Sequence, residues 1–133
     1  MIVVLMALAM AASSVEVTGA DTLRYNGRIY RLYDIDAPQA GALARCRIER
    51  TRAEETAAIV RDLVARAERV EIIPGYDPRG RRSWPSDRHD QRLATIKIDG
   101  RDLGDLLIAE GRAAPWNNRE NHNWCRGPYA RAR

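Results

Sequence analysis

The dipeptide Asn26-Gly27 lies between two runs of strand-forming residues, 22–25 and 28–35. Asn-Gly strongly favours a two-residue hairpin turn, because both central positions of that turn require a positive φ. The pattern therefore predicts an antiparallel hairpin near the start of the chain. In this hairpin Arg31 lies on the second strand and Asp36 follows at its end.

The rest of the pattern predicts three further strands and two helices. The strands are predicted at 15–17, 70–73 and 93–98, and a helix is predicted from 48 to 68 because apolar residues recur there at spacings of three and four. Asp102 is predicted to cap a second, short helix that ends at Gly111. Five short strands with a helix between the third and fourth are compatible with an oligonucleotide-binding (OB) barrel, although other small mixed folds share this pattern.

Length and charge are those of one small basic domain. The chain has 133 residues, a formal net charge of +4 and a sequence pI of about 9.5. A basic surface favours polyanions such as nucleic acid, although a solvated arginine-rich helix would give the same total. We assign residues 13–116 to the folded domain and 117–133 to an irregular C-terminal tail.

The amino terminus has the pattern of a signal peptide. Residues 1–12 contain a continuous apolar run, and Ala9-Met10-Ala11 matches a small-x-small cleavage site. The run is too short for a membrane span, so we expect no stable membrane insertion after cleavage, and a secreted or periplasmic location. The alternative is that this run forms a first strand.

The cysteine count agrees with export. Cys46 and Cys125 have no Cys-x-x-Cys spacing, which argues against a zinc site. In an oxidising compartment an even count favours a disulfide, which would tie the tail to the domain. The alternative is two free thiols.

Four charged residues recur in an order that suits phosphodiester chemistry: Asp21, Arg31, Asp36 and Arg92. Carboxylate oxygens are ligands for hard cations such as calcium, which polarise a phosphoryl oxygen and position an attacking water. The guanidinium groups of arginines match two phosphate oxygens and stabilise negative charge in a transition state. The same residues could instead form a structural ion-pair network.

Two segments of the chain resemble the staphylococcal-nuclease-like (thermonuclease) family. Residues 31–38, Arg-Leu-Tyr-Asp-Ile-Asp-Ala-Pro, are similar to the family's Arg-Leu-x-Gly-Ile-Asp-Ala-Pro, and a second similarity runs from Arg92-Leu93-Ala94 to Ala113. The resemblance covers about three quarters of the chain. It implies an α+β fold with a five-stranded OB barrel of the staphylococcal nuclease type, and calcium-dependent hydrolysis of DNA or RNA.

The resemblance also implies roles for individual residues. Asp21, Asp36 and the carbonyl of Ala37 correspond to the calcium ligands, and Arg31 and Arg92 to the two phosphate-binding catalytic arginines. The segment around Arg92 departs from the family, because residues 87–92 are one residue longer than the family's Asp-Arg-Tyr-Gly-Arg and lack its glycine. Trp116 is the main candidate for nucleotide stacking and Trp84 a weaker one, although both could be packing residues.

Gln39 stands where the family has its general base. An amide cannot take a proton from water near neutral pH, and a well-placed base contributes about 10²- to 10⁴-fold in rate. The site is expected to be slow or inactive unless another carboxylate substitutes, and Asp34 is a candidate because strand alternation would place it on the same face as Asp36. His89 is a weaker candidate. The alternative functions are a catalytically inactive module that binds nucleic acid, and a protein-interaction domain.

Overall fold

The computed structural model describes residues 8–10, 14–87, 89–116 and 122–126. In chain order its strands and helices are β1 (Leu8–Met10), β2 (Glu16–Val17), β3 (Thr22–Tyr25), β4 (Arg28–Leu32), β5 (Ile35–Asp36), α1 (Arg47–Arg66), β6 (Val70–Pro74), β7 (Arg92–Ile98), β8 (Arg101–Asp102), α2 (Leu103–Ala109) and β9 (Ala114–Pro115). A short 3₁₀ turn, Gly41–Leu43, precedes α1.

A mixed sheet forms the centre of the fold. Its strand order is β1-β6-β7-β4-β3-β2, and β8 pairs with β7. Neighbours are antiparallel except β4 and β7, which run parallel. The sheet curls into a half-barrel, so the α+β, barrel-like fold expected from the sequence is confirmed at this level. Strands β2, β3, β4, β6 and β7 correspond to the five predicted strands.

Strand alternation builds the core. Leu23 lies opposite Tyr30 across the hairpin and Ile72 opposite Ile96 across β6 and β7, and all four are buried. Helix α1 adds a stripe of buried residues at spacings of three and four: Ala53, Ala57, Val60 and Val64. The helix is therefore amphipathic as predicted, and the packing of one face on the sheet stabilises it more than its intrinsic propensity does.

The predicted strand 28–35 is interrupted. β4 ends at Leu32, and Asp34 adopts a positive φ of 62° before β5 begins at Ile35. Because the alternation is broken there, Asp34 is exposed whereas Asp36 is buried, and the two carboxylates do not share a strand face as the sequence suggested. Strand β5 leaves the main sheet and pairs with β9.

Helix α2 holds β5 in place by close packing. A Cβ atom added at Gly104 would come within 2.9 Å of the Ile35 side chain, so the helix approaches the strand directly. The Asp102 carboxylate accepts a hydrogen bond from the backbone N–H of Asp105 at 3.0 Å, which confirms the predicted N-cap. Gly111 has a φ of 69° just beyond the helix, as the predicted C-terminal signal requires.

Part of each chain end is described. Residues 8–10 pair antiparallel with β6, with Leu8 opposite Ile72, while residues 1–7 and 11–13 of the leader region lie outside the described residues. Cys46 and Cys125 form a disulfide with a Cα–Cα distance of 6.1 Å, which confirms the predicted bridge and is compatible with an exported protein. None of the helices in the described part of the chain is long and apolar enough to cross a membrane. Export itself stays a prediction.

Candidate functional site

The β3–β4 hairpin brings Asp21 beside Arg31. Thr22 pairs with Arg31, and the backbone N–H of Leu32 donates to the Asp21 carbonyl at 2.9 Å, so Asp21 lies at the next position of the ladder. The Nε atom of Arg31 donates to Asp21 Oδ2 at 3.2 Å. The structure therefore brings together two residues that the sequence placed in one site.

A second carboxylate, which the sequence analysis did not single out, also contacts Arg31. Asp87 Oδ2 accepts a hydrogen bond from Arg31 Nη1 at 3.4 Å. Asp87 Oδ1 accepts from the backbone N–H groups of His89 and Gln91, which fixes the turn before β7. Its sequence signals were an aspartate in the loop before β7, a common turn residue, and its place at the start of the segment 87–92 that was compared with the family's Asp-Arg-Tyr-Gly-Arg. We call Asp21, Arg31 and Asp87 the carboxylate–arginine cluster.

The ionisation of Asp21 is set by burial. Burial raises the pKa of the Asp21 carboxyl above its ordinary value of 3.8, although the adjacent Arg31 charge and hydrogen bond lower it, and the charge of Asp36 raises it further. The cluster is thus a partly buried arginine held between two carboxylates, Asp21 and Asp87.

We expect ionisation of Asp21 to lower the free energy of unfolding as the pH rises. The folded chain holds the Asp21 proton more tightly than the unfolded chain does, so stability declines from pH 3.8 upward until the raised folded-state pKa is passed. In Asp21→Asn this decline should be absent, as measured by urea unfolding at pH values on both sides of the window. Asp77→Asn is the matched control: the backbone N–H of Arg81 lowers the pKa of Asp77, so this carboxyl stabilises above pH 3.8 and its loss changes the profile in the opposite sense. An unchanged profile in Asp21→Asn would contradict the assignment.

The buried Asp36 carboxylate is bound by the C-terminal segment 122–126. The backbone N–H of His122 donates to Asp36 Oδ2 at 2.5 Å, and the indole Nε1 of Trp124 donates to Oδ1 at 3.4 Å. The His122 and Trp124 rings pack together with a centroid distance of 4.2 Å. The sequence predicted an irregular tail there; the segment has no helix or strand, but it is packed onto the candidate site. In the sequence, only Cys125 indicated that this segment packs against the domain.

The Gln39 region is held by hydrogen bonds. Gln39 Nε2 donates to the Ala37 carbonyl at 3.3 Å, and the Gln39 backbone N–H donates to Glu49 Oε2 at 2.9 Å. Glu49 is a buried carboxylate at the start of α1 that also accepts from the Arg45 backbone N–H. Its oxygens therefore hold the loop from Gln39 to Arg45, and this gives Glu49 a structural role beside the position where the resemblance implies a base.

The oxygens of Asp21, Asp36 and Ala37 do not fit a calcium ion in this conformation. Asp36 accepts from two N–H donors of the C-terminal segment, Asp21 accepts from Arg31, and the Ala37 carbonyl accepts from Gln39. A calcium ion takes about six to eight oxygen ligands. Here N–H groups already bind both Asp36 oxygens, Asp21 Oδ2 and the Ala37 carbonyl, the oxygens that the three implied ligand residues would offer. The described residues contain no group of three or more His, Cys, Asp or Glu side chains able to hold a metal.

Arg92 does not join the carboxylate–arginine cluster. It pairs in register with Tyr30, so its side chain leaves the sheet on the face opposite that of Arg31, because successive residues of β4 alternate. Its guanidinium carbon lies 5.4 Å from the centre of the Trp84 ring, and this ring contacts Tyr30 at a centroid distance of 5.4 Å. The two arginines that the sequence placed in one site thus have different neighbours: Arg31 contacts Asp21 and Asp87, and Arg92 contacts Trp84.

A groove of about 930 Å³ lies where Arg92 and Trp84 meet the hairpin tip. Its walls come from the turn between β3 and β4 and from the loop before β7; the residues that line it are Asn26, Gly27, Arg28, Ile29, Ser83, Trp84, Ser86, His89, Asp90, Gln91 and Arg92. Trp116 does not line it. That side chain is 43 % exposed, and its backbone N–H donates to the Asp34 carbonyl at 2.9 Å. The two candidate stacking residues thus belong to different surfaces.

Comparison with known proteins does not assign a family. No protein-family model matches the chain, and no curated protein matches its sequence significantly. The likeness to the nuclease-like proteins therefore stays a prediction drawn from the motifs.

Proposed function

We propose that this protein binds single-stranded nucleic acid at the groove between the β3–β4 turn and the loop before β7, without hydrolysing it in the conformation described. We further propose that the half-barrel is an OB fold of the nuclease-like type. The order of its strands around α1 supports this, since the helix falls between the third and fourth predicted strands.

The observation that carries the proposal is the pair of arginines in the groove. Arg28 and Arg92 both line it, and neither forms an ion pair with another described residue. Arg31, by contrast, already contacts Asp21 and Asp87. Guanidinium groups without carboxylate partners are the ones ready to bind phosphate, because no existing ion pair has to break first.

Trp84 supplies an aromatic surface beside these charges. Its indole is half-buried against the core, and the residue adopts a φ of 57°, which is uncommon for a bulky side chain. Strained backbone of this kind often occurs at binding sites, where the rest of the structure holds it. An arginine and an indole that line one groove match the phosphate and base of a nucleotide, and stacking of a base is worth about 1–3 kcal/mol.

The same geometry argues against hydrolysis in this conformation. The Gln39 amide cannot act as a base, and its Nε2 group donates to Ala37. Asp36 is covered by the C-terminal segment, and Arg92 lies on the other face from Arg31. A phosphate bound at the carboxylate–arginine cluster would contact one arginine, Arg31. Both carboxylates of the cluster are already hydrogen-bonded to that arginine, so neither is available as a base.

Fluorescence titration with single-stranded DNA and RNA tests the proposal. Arg28→Ala/Arg92→Ala is expected to weaken binding by about tenfold for each arginine, the usual worth of one hydrogen bond to a charged group. The slope of log affinity against log salt should become less negative by about 1.4, because each single-strand phosphate contact contributes about 0.7. Binding should also quench Trp84 fluorescence.

Arg61→Ala/Arg101→Ala is the matched control, since it removes the same charge from exposed positions outside the groove. Equal losses in both double variants would mean that net charge alone attracts nucleic acid, and the groove proposal would fail.

The titrated samples are then incubated with calcium and run on a gel to detect cleavage. Uncut strands are expected; cutting that disappears in Asp36→Ala would instead support the calcium-dependent nuclease.

A further inference from the structure

The loop 75–83, which follows β6, presents an aromatic ring stacked on an arginine. The Tyr76 side chain is 42 % exposed, although large apolar side chains are usually buried. The guanidinium carbon of Arg82 lies 4.2 Å from the centre of the Tyr76 ring, and the Tyr33 ring meets that ring edge to face at a centroid distance of 6.0 Å. We call Tyr76 and Arg82 the tyrosine–arginine platform.

Backbone contacts hold the platform in place. Tyr76 and Arg82 face each other in an antiparallel bridge, and Arg82 Nη1 donates to the Pro74 carbonyl at 2.7 Å, which fixes the direction of the guanidinium. At the base of the loop, a Cβ atom added to Gly75 would lie 2.9 Å from the Leu93 carbonyl oxygen. The loop therefore starts in close contact with β7.

The Asp77 carboxylate organises the turn within the loop. Its Oδ1 accepts from the backbone N–H groups of Arg79 and Arg81, both at 2.9 Å, and its Oδ2 accepts from the Ser83 hydroxyl at 2.9 Å. Arg81 also pairs with Asp77, whereas Arg79 forms no ion pair with another described residue. A loop that is already ordered loses less conformational entropy when it binds a ligand.

The platform adjoins the groove along the chain. Arg82 is followed directly by Ser83 and Trp84, which both line the groove. Because consecutive Cα atoms are about 3.8 Å apart, the Cα atoms of Arg82 and Trp84 are separated by no more than about 7.6 Å. Nucleotides stacked along one strand are about 3.4 Å apart, so this separation corresponds to one or two nucleotide steps.

We propose that the tyrosine–arginine platform is a second nucleotide subsite, so that a single strand bound in the groove continues onto the loop 75–83. The inference rests on the proposed function and adds the path and minimum length of the ligand. One base lies against Trp84, a later base stacks on the platform, and Arg79 provides a cation for the phosphates between or beyond them. Aromatic rings and guanidinium planes both stack unpaired bases. In a duplex the bases are stacked on their neighbours, so the ligand is a single strand of at least two or three nucleotides.

Competition against a labelled six-nucleotide oligothymidylate, followed by fluorescence anisotropy, tests the second subsite. Tyr76→Ala is expected to weaken binding of the six-nucleotide strand at least about fivefold, the lower end of the effect of losing one stacked base. Its affinity for thymidine monophosphate, which fills the groove alone, should change less than about twofold, since the Trp84 subsite is intact. Tyr76→Phe keeps the ring and should bind both ligands like the native chain.

Trp116→Ala is the matched control, because it removes an equally exposed aromatic side chain that does not line the groove. Both of its affinities should stay within about twofold of the native values. Circular dichroism establishes that each variant is folded. Cross-linking of the native chain gives a readout that needs no variant: a six-nucleotide strand with one 5-iodouracil, irradiated and digested with trypsin, should attach to the peptide that contains Tyr76 as well as to the one that contains Trp84.

Four results would overturn the second subsite. They are an unchanged affinity of Tyr76→Ala for the six-nucleotide strand, an equal loss for the monophosphate, an equal loss in Trp116→Ala, and cross-links that miss the Tyr76 peptide. If the strand binds and the binding depends on Arg28 and Arg92, any of these results leaves the groove proposal standing. If the native chain does not bind the strand at all, the groove proposal and the second subsite fail together.

Discussion

Trp124→Ala is expected to lower the free energy of unfolding of the oxidised protein by about 3–5 kcal/mol, the range found when a buried aromatic side chain is truncated. The indole is 2 % exposed and donates to Asp36, so the variant loses apolar contact and a hydrogen bond to a buried carboxylate together. For a domain of this size the loss corresponds to a fall in melting temperature of roughly 10 °C or more. Urea unfolding followed by circular dichroism measures it.

Trp116→Ala is the matched control. Trp116 is 43 % exposed, so its truncation should cost less than about 1 kcal/mol, in line with substitutions at surface positions. If the two tryptophan variants lost similar stability, the C-terminal segment would not be a packed part of the domain in solution. Asp36 would then lack the hydrogen-bond donor that Trp124 provides.

Arg31→Met is expected to destabilise the protein by about 3 kcal/mol, because a buried carboxylate that loses its ionic partner remains desolvated and unpaired. The figure lies at the lower end of the usual range since 24 % of the Arg31 side chain is exposed, against 9 % for Asp21. Without the guanidinium the pKa of Asp21 should rise further. The loss should therefore be smaller in acid, where the carboxyl is protonated in the variant.

The double variant Asp21→Asn/Arg31→Met distinguishes loss of the Asp21–Arg31 ion pair from general loss of packing. An amide at position 21 needs no counter-charge, so the double variant should recover at least about 1 kcal/mol relative to the sum of the single variants. Strict additivity of the two changes would show that Asp21 and Arg31 do not interact in solution. Unfolding of all four proteins at neutral and acid pH provides the full cycle.

The sheet and helices could be predicted because local chemistry specifies them. Asn26-Gly27 determines the hairpin, and the spacing of apolar residues from Ala53 to Val64 determines which face of α1 is buried. The same local rules located the caps of α2 at Asp102 and Gly111. The break at Asp34 was missed because a single residue with positive φ leaves the hydrophobic pattern on either side almost unchanged.

The candidate site was only partly predictable, because several of its contacts are not local. Arg31 could be placed on its strand, and the structure puts Asp21 beside it. The positions of Arg92 and of the C-terminal segment depend on strand register and on the docking of irregular chain. A shift of one residue in a strand moves a side chain to the other face, and no periodicity marks residues 122–126. The disulfide was the one distant contact that the sequence did indicate.

The bridge between Cys46 and Cys125 also determines what happens if the backbone is cut. It spans 79 positions, and α1, β6, β7, α2 and β9 all lie between the two cysteines. A protease that cleaves the exposed stretch around Arg79 and Gly80 therefore yields two fragments that stay one covalent molecule until the bond is reduced. Because the fragments cannot diffuse apart, their re-association is independent of protein concentration, and a nicked chain can keep its fold.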